Sequence, residues 1–316
     1  MIVLAGLPDE PPIARVATAL DDLGIAYRMI DQRRHADMHL SFDPAGAQGI
    51  LQGHLRCAGE EDIALETVTG LYQRLHSDDS FPDLCDLPPT HPARVRFGRI
   101  VTLFTVFSDL CSGRVLNRTP GMGTNNSKPF QAQIIARAGF ATPRTLITNV
   151  PDKARAFVLD AKAHGTEVIF KSASAVRSIV RTVTAGDLNR LDRLRICPVQ
   201  FQERVTGRDV RVHVVGEQVF ATRITTTGVD YRYASRDDGG ETDLAPFALP
   251  PEVAARSVAL SQALDLPLAG IDLRETPQGE WVCFEVNPSP AYSYYEANTG
   301  QPISTAIAQY LAGMSD

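Results

Sequence analysis

Two apolar segments near the carboxyl end of the chain are separated by a short turn and are expected to pair as a β-hairpin. The first is "GIDLRET" (270–276), the second is "EWVCFEVNPS" (280–289), and the turn between them is Pro277-Gln278-Gly279. A glycine in so short a connection between strand-like segments is typical of an antiparallel hairpin. This hairpin brings Asp272 of the first strand close to Glu285 of the second, so it constrains the fold where the chain carries two carboxylates.

Side-chain alternation along the second strand separates its polar residues from its apolar residues. A period of two places Glu285 and Asn287 on one face and Val282, Phe284 and Val286 on the other. Together with the carboxylate of the preceding strand, these oxygens form a hard ligand set that suits Mg²⁺. The alternative is that the carboxylates are merely exposed on one sheet face. The apolar neighbours oppose it, because a buried charge needs a partner.

Composition places the chain among ordinary globular proteins. It has 316 residues, of which 44% are hydrophobic and 22% are charged, enough for more than one core. A net charge of -6 and dispersed Lys and Arg argue against a nucleic-acid partner. The five cysteines form no CxxC pair, which favours reduced thiols. No basic signal-peptide region and no run of ~20 apolar residues occurs, so we expect no membrane partner and a cytoplasmic location.

Strand and helix patterns divide the chain into three units of an α/β protein. Residues 1–112 read as strand–helix–strand and further elements of an open α/β unit, without the GxGxxG of dinucleotide binding. A second unit, 113–195, combines helices with the strand "TEVIFKSAS" and a returning strand "SIVRTVT". A third, 196–316, begins with three strands that turn at Thr206-Gly207 and Gly216-Glu217.

Two lysines stand at positions suited to phosphate binding. Lys128 begins a helix after "TPGMGTNNS", which fails the Walker pattern because Pro129 follows the lysine. A cation there opposes the helix dipole, and a nearby phosphate would explain it. Lys171 ends the apolar strand "EVIF" and precedes the small-residue loop "SASAVRS", which can close over a polyphosphate. The alternatives are an ordinary solvated lysine and an ordinary lysine at a strand end.

The segment "FQERVTGRDVRVHVVGEQVFA" alternates charged and apolar residues. Arg211 shares a face with Asp209 and His213, and its planar fork can bind a phosphate or a carboxylate. The alternative is a half-exposed hairpin without a ligand. Three further cations, suited to an anionic substrate, follow downstream: Arg223, Arg232 and Arg236.

These segments occur in an order that resembles the ATP-grasp superfamily of carboxylate–amine ligases. Within it, the chain is similar to the RimK-type glutamate ligases and to the peptide-modifying graspetide (microviridin-type) maturases. The resemblance covers about residues 113–310 and rests on "VLNRTPGMGTNNSKPFQAQIIARAGFATPRTLIT", "EVIFKS", "FQERVTGRDVRVHVVGEQVFA", "GIDLRETPQGEWVCFEVNPSP" and "EANTGQPISTAIAQYLA". It implies an ATP-grasp fold with a pre-ATP-grasp domain at 1–112, a small lid subdomain at 113–195 and a metal-binding subdomain at 196–316.

The resemblance also implies roles for individual residues. Lys128 and Lys171 would bind the ATP phosphates, and Lys171 and Arg211 would assist catalysis. The hinge that meets adenine would comprise Gln202, Glu203, Arg204 and Val205, with Asp209 near the ribose. Two Mg²⁺ ions would be held by Asp272, Glu285 and Asn287. Two departures concern nucleotide affinity and loop closure: the flap after Lys171 lacks its usual glycines, and Ala291 replaces a common glycine.

The implied reaction is ATP-dependent activation of a carboxylate as an acyl phosphate, followed by amide formation with an amine. The substrate would be an amino acid, another small carboxylate or a peptide, and a homodimer is expected from the resemblance alone. The aromatic segment after "NPSP" is expected to contact the substrate, notably through Tyr292; the alternative is packing against a neighbouring domain or subunit. Two other functions stay open: a non-catalytic ATP-binding regulator or scaffold, and a kinase that leaves a stable phosphate ester.

Overall fold

The computed structural model of the chain describes residues 1–46, 49–57, 59–172, 181–226 and 242–314. The amino-terminal part contains a parallel sheet built from β1 (Ile2–Gly6), β2 (Tyr27–Asp31), β6 (Gly70–Gln73) and β7 (Arg114–Leu116), in the order β2-β1-β6-β7. Helix α1 (Pro11–Asp22) connects β1 to β2, and α2 (Pro92–Leu110) connects β6 to β7. The predicted strand–helix–strand start is confirmed by β1, α1 and β2. Parallel neighbours need such a crossover connection.

Three short strands that the sequence analysis did not predict follow β2. They are β3 (Met38–Asp43), β4 (Gln52–Cys57) and β5 (Ile63–Ala64), and they pair antiparallel in that order. Their buried side chains, such as Met38, Leu55 and Ile63, share one core with Phe104 and Phe107 of α2. This small sheet therefore extends the core beneath the second face of the parallel sheet.

A second antiparallel sheet has the order β10-β9-β11-β8. Its strands are β8 (Thr145–Thr148), β9 (Val168–Ser172), β10 (Arg181–Thr182) and β11 (Val199–Glu203). Helix α5 (Pro151–Ala163) buries Phe157 and Ala161 against Phe201 of β11, in a core separate from the others. The predicted returning strand is present as β10, although its first three residues, 178–180, lie outside the described part.

The largest sheet is antiparallel and has the order β14-β13-β12-β15-β16. It comprises β12 (Arg208–Val215), β13 (Gln218–Thr226), β14 (Thr242–Phe247), β15 (Leu268–Glu275) and β16 (Trp281–Asn287). Helices α4 (Lys128–Arg137) and α7 (Pro251–Ala263) cover one face, and their Ile135 and Leu260 share its core with Val212 and Ile271. Both predicted hairpins, β12–β13 and β15–β16, are confirmed.

The carboxyl-terminal helices return to the amino-terminal sheet. The remaining helices are α3 (Thr119–Gly123), α6 (Ala185–Leu188), α8 (Tyr292–Thr299) and α9 (Ile303–Ala312). Ile303 and Ile307 of α9 pack with Leu4 of β1 and with Ile13 and Leu20 of α1. The two ends of the chain therefore share one core. Within the described ranges, no helix is both long enough and apolar enough to cross a bilayer.

The sheets do not end at the unit boundaries expected at residues 112 and 195. Strand β7 follows residue 112 but pairs with β6 of the first sheet. Strand β11 follows residue 195 but pairs with β8 and β9. The division at these two positions stays a prediction, and both joints are bridged by backbone hydrogen bonds.

Asn117 is a buried amide that joins β7 to the hairpin. Its Nδ2 donates to the carbonyl oxygens of Leu268 and Pro288, both at 2.6 Å, and its Oδ1 accepts from Leu268 N at 3.1 Å. The backbone carbonyl oxygen of Asn117 accepts a hydrogen bond from Gln73 Nε2 at 3.0 Å. One side chain therefore satisfies three backbone groups at the start of β15 and just beyond β16.

We expect Asn117→Ala to lower the free energy of unfolding by about 3 kcal/mol. The change leaves three backbone groups of Leu268 and Pro288 without their amide partner. Each buried polar group that loses its hydrogen bond costs about 1–3 kcal/mol before the structure relaxes. Urea denaturation followed by circular dichroism measures the loss. Asn126→Ala, at an exposed position of a short turn, is the matched control. A loss below about 1 kcal/mol for Asn117→Ala would show that the hydrogen bonds of Asn117 are not needed for the stability of the fold.

Candidate functional site

The β15–β16 hairpin places its oxygen side chains side by side. Asp272 is paired with Glu285, and Gly270 with Asn287, across the antiparallel ladder. Residues directly opposite each other share a face of the sheet. The predicted proximity of Asp272 and Glu285 therefore agrees with the strand register.

The predicted alternation along β16 is wrong at one point, because the strand contains a bulge. Asp272 pairs with Glu285 but the next residue, Leu273, pairs with Cys283, so Phe284 is the extra residue. A bulge shifts the side-chain alternation by one residue. As a result Cys283 faces the buried core, and Val282 lies on the opposite face instead of beside Val286.

Cys283 lies directly behind the carboxylates. Its thiol is buried, and burial together with the charges of Asp272 and Glu285 raises its pKa well above the ordinary value. The thiol is therefore protonated and packs as a small apolar group.

Lys128 faces the hairpin from the first position of α4. Its Nζ lies 3.0 Å from Glu285 Oε2, and both side chains are about three-quarters buried, with 28% and 23% exposure. The carboxylate supplies the negative charge that a lysine at a helix amino terminus requires. A bound phosphate would meet the same ammonium group beside the same carboxylate.

Gln131, one turn along α4, was not identified from the sequence. Its Nε2 donates to Val286 O at 2.9 Å, and its Oε1 accepts from Val286 N at 2.8 Å. Val286 lies between Glu285 and Asn287, so this amide fixes the backbone that carries both. The sequence carries no signal of this role, because the burial of Gln131 follows only from the packing of α4 on the sheet.

Arg211 lies on β12 beside the hairpin, with Asp272 opposite it on β15 and Thr222 opposite it on β13. Its Nη1 donates a short hydrogen bond to Asp272 Oδ1, and its side chain is 7% exposed. Its guanidinium carbon is 5.8 Å from the ring centroid of Tyr295. The cation is thus held against a carboxylate of the predicted metal set.

Gly270 makes room for that guanidinium. A Cβ atom built on Gly270 would lie 2.1 Å from Arg211 Nη2 and 2.7 Å from Pro290 Cβ. The arginine and the proline therefore both lie directly over the glycine backbone. A glycine inside a strand often marks such a close approach, and this signal was present in the sequence.

His213, two residues after Arg211, is fully buried beside the same aromatic ring. Its ring centroid is 4.9 Å from that of Tyr295. Burial and the positive charge of Arg211 lower the pKa of His213 well below its ordinary value. The imidazole is therefore neutral near pH 7 and adds no charge to the site.

Asp209, expected near the ribose, is paired with a cation that the sequence analysis did not single out. Arg274 Nε donates to Asp209 Oδ1 at 2.7 Å, and Arg274 Nη1 donates to Val205 O at 2.6 Å. The ring of Phe284, the bulged residue, lies 5.1 Å from the Arg274 guanidinium carbon. Arg274 thus ties the hinge to the hairpin.

The expected hinge residues connect the β10-β9-β11-β8 sheet to the largest sheet. Gln202 is buried and its Nε2 donates to Thr145 Oγ1 at 3.0 Å. Glu203 forms an ion pair with Arg144 at 3.0 Å, and Arg204 pairs with the carboxylate of Glu167. Val205, the last expected hinge residue, accepts from Arg274 through its carbonyl oxygen. Lys171 lies on β9 opposite Gln200. The loop after Lys171 lies almost wholly outside the described residues.

Two expected substrate residues are not brought to the site. Arg223 pairs with Val210, so it lies on the opposite face of the sheet, 4.2 Å from the ring centroid of Phe247. Tyr292 is fully buried and its hydroxyl donates to Pro12 O, so it packs against the amino-terminal unit. Arg232 and Arg236 lie outside the described residues.

The oxygen set fits Mg²⁺ by its chemistry. Asp272, Glu285 and Asn287 offer two carboxylates and an amide oxygen, without sulfur or imidazole, as hard cations prefer. Asn287 Oδ1 accepts from Ser289 N at 2.9 Å, which orients the amide and leaves a second lone pair. Among the described residues no group of three His, Cys, Asp or Glu could hold a metal. The amide oxygen of Asn287 is the third side-chain oxygen that this hairpin offers beside Asp272 and Glu285.

The chain is similar to known proteins in sequence and in fold. The model of the RimK-like ATP-grasp domain matches residues 125–311, which span Lys128 to Tyr292. A probable alpha-L-glutamate ligase of Vibrio atlanticus is 23% identical over 224 residues, 67% of this chain and 70% of that protein. The structure of the ATP-grasp ligase PsnB, complexed with minimal precursor, Mg and ADP, is 26% identical with a TM-score of 0.78, covering 100% of this chain and 97% of that chain. The macrocyclase MdnC bound with precursor peptide MdnA, from Microcystis aeruginosa, is 24% identical with a TM-score of 0.79, covering 99% and 100%.

Proposed function

The chain belongs to the RimK-like ATP-grasp family, and we propose from this premise that its hairpin site joins a carboxylate to an amine on a peptide. It has the ATP-grasp fold and is an ATP-dependent carboxylate–amine ligase that uses ATP and Mg²⁺, as the sequence analysis expected.

The contact of two cations with the paired carboxylates carries the proposal. Lys128 contacts Glu285, and Arg211 contacts Asp272. The two carboxylates are paired directly across β15 and β16. A site that transfers a phosphoryl group needs oxygens for Mg²⁺ and fixed cations for the phosphoryl oxygens. Both kinds of group meet here, and a mere nucleotide-binding surface would not need Arg211 buried against a carboxylate.

The reaction proceeds in two steps. A carboxylate oxygen attacks the γ-phosphorus of ATP, and the bond to ADP breaks, which leaves an acyl phosphate. The amine then attacks the carbonyl carbon, loses a proton, and expels phosphate as the amide forms. Lys128 and Arg211 stabilise the transferring oxygens, and Asn287 and the two carboxylates are oriented by Ser289, Gln131 and the strand register. When bound, Mg²⁺ supplies Lewis-acid stabilisation of the same charge.

The likeness to PsnB favours a peptide over a free amino acid. The structure of PsnB aligns with all of this chain at 26% identity and a TM-score of 0.78. PsnB has also been solved in complex with the precursor peptide PsnA2, and its likeness to this chain includes the amino-terminal unit. Because this unit packs against α9 and contacts the "NPSP" segment, a substrate bound to it would lie near the site.

Trapping with hydroxylamine tests the proposal. The chain is incubated with ATP, Mg²⁺, hydroxylamine and separate pools of short acidic peptides, amino acids and small acids, and mass spectrometry detects hydroxamates and ADP. We expect ADP and a peptide hydroxamate. A hydroxamate formed only from amino acids would contradict the peptide class. AMP in place of ADP, or a phosphate ester retained on the product, would overturn the reaction itself.

A further inference from the structure

Arg74, which follows β6, is a cation of the amino-terminal unit that reaches the catalytic hairpin. Its side chain is 13% exposed, and its Nη2 and Nε lie 2.7 Å and 2.9 Å from Glu10 Oε1. On its other side, Nη1 donates to Ser289 Oγ at 2.9 Å and to Pro290 O at 3.4 Å. One planar guanidinium therefore joins two residues that are more than two hundred positions away to the start of α1.

Ser289 connects this arginine to Asn287. The Ser289 N–H donates to Asn287 Oδ1 at 2.9 Å, while its hydroxyl accepts from Arg74. An asparagine amide can turn about its last torsion, and its orientation follows from its hydrogen bonds. Holding Ser289 in place therefore holds the oxygen that Asn287 can offer to a metal.

Pro290 connects the same arginine to Arg211. The Cβ of Pro290 and Nη2 of Arg211 both lie within 2.7 Å of the position that a Cβ on Gly270 would occupy. Pro290 thus forms a wall beside the Arg211 guanidinium, and its carbonyl oxygen is the second acceptor for Arg74. A shift of the 289–290 segment would loosen both Asn287 and Arg211.

Glu10 makes Arg74 a rigid support. Glu10 Oε2 lies 3.2 Å from His76 Nε2, and the His76 backbone exchanges two hydrogen bonds with the side chain of Gln32, each 2.8 Å long. Arg74 N donates to Ala5 O at 2.8 Å and so continues the pairing of β6 with β1. The guanidinium is therefore fixed to the frame of the parallel sheet.

We propose that Arg74 is a positioning residue of the ligase reaction, which orients Asn287 through Ser289 and confines Arg211 through Pro290. This inference rests on the proposed function of the hairpin. It assigns to the amino-terminal unit a direct part in the geometry of the metal site. Hydrogen-bond partners behind metal ligands typically change metal affinity about 10–100-fold when they are removed.

The experiment compares ADP affinity with and without metal. Isothermal titration gives the dissociation constant of ADP in Mg²⁺ and in EDTA, and the value in EDTA divided by the value in Mg²⁺ measures the contribution of the metal. We expect Arg74→Met and Ser289→Ala each to reduce this ratio about tenfold or more, with ADP affinity in EDTA changed less than about threefold. Ser289→Ala removes the contact from the other side and leaves the Arg74–Glu10 ion pair in place, so it tests the idea even if Arg74→Met folds poorly.

A second arginine of the same unit provides the control. Arg96 is also partly buried, and its guanidinium donates to the carbonyl oxygens of His35 and Met38, which both belong to the amino-terminal unit and not to the hairpin. Arg96→Met is expected to keep the wild-type ratio even if it lowers stability. A wild-type ratio in folded Arg74→Met or in Ser289→Ala would overturn the inference. If the wild-type chain itself binds ADP equally with Mg²⁺ and EDTA, the proposed function fails instead.

Discussion

Replacing Glu285 by Gln is expected to lower turnover about a thousandfold or more while the fold and nucleotide binding persist. The change keeps one oxygen and the side-chain volume but removes one of the two negative charges that the proposed Mg²⁺ site offers. Asp272 then carries the only carboxylate charge of the set, because the amide of Asn287 is neutral. Lewis-acid stabilisation of a transferring phosphoryl group is worth several kcal/mol, and each 1.36 kcal/mol corresponds to about a factor of ten. Lys128 also loses its charged partner at 3.0 Å and becomes available to phosphate oxygens.

Turnover and binding have to be measured separately for this variant. ADP release is followed at saturating ATP and Mg²⁺ with the substrate found by hydroxylamine trapping, and ADP affinity is measured in EDTA. Glu280→Gln, at the exposed turn of the same hairpin, is the matched control and is expected to keep wild-type turnover. Turnover within about tenfold of the wild type in Glu285→Gln would exclude Glu285 as a ligand that the reaction needs.

The local part of this site could be predicted from the sequence. Asp272 and Glu285 lie on strands joined by a short turn, so their pairing follows from chain connectivity. The side-chain alternation beyond Glu285 could not be predicted, because a single extra residue at Phe284 reverses it without any glycine or proline to mark the bulge.

The position of Arg223 follows from the register of the β12–β13 hairpin. Val215 and Gln218 flank a two-residue turn, so the β12–β13 register pairs Arg223 with Val210 and not with Arg211. Counting from the turn places Arg223 on the buried face, where it lies over Phe247. A positive charge near a site in the sequence therefore says little until the strand register is known.

Contacts between distant segments could not be predicted in this way. Gln131, Asn117 and Arg74 bind backbone or hydroxyl groups of the hairpin region from elements more than a hundred residues earlier in the chain. Their residue types are common on helices and at strand ends, and only tertiary packing selects their partners. The proposed metal ligands were therefore recognisable by residue type, whereas the groups that orient them were not.

Gly270→Ala is expected to lower turnover about a hundredfold and to affect stability much less. The new Cβ would lie 2.1 Å from Arg211 Nη2, so the guanidinium has to move by about 1.4 Å to reach an ordinary contact distance of about 3.5 Å. A misplacement of about 1 Å in a positioned catalytic group can cost about a hundredfold in rate. Overpacking of this kind typically costs about 1–3 kcal/mol of folding free energy, which a folded domain can tolerate.

A double-mutant cycle shows whether the effect passes through Arg211. In an Arg211→Met background the guanidinium is absent, and we expect the additional Gly270→Ala change to lower turnover less than about threefold, since interacting residues are not additive. Gly98→Ala is the matched control: its Cβ meets nothing within 4 Å, and it is expected to stabilise α2 by up to about 1 kcal/mol without a change in turnover. If Gly270→Ala costs the same factor with and without the Arg211 guanidinium, the new methyl acts through the strand or through Pro290, whose Cβ would be 2.7 Å away, and not through the arginine. If the cost disappears with the guanidinium, the bare backbone at Gly270 is what allows a buried cation to lie beside Asp272.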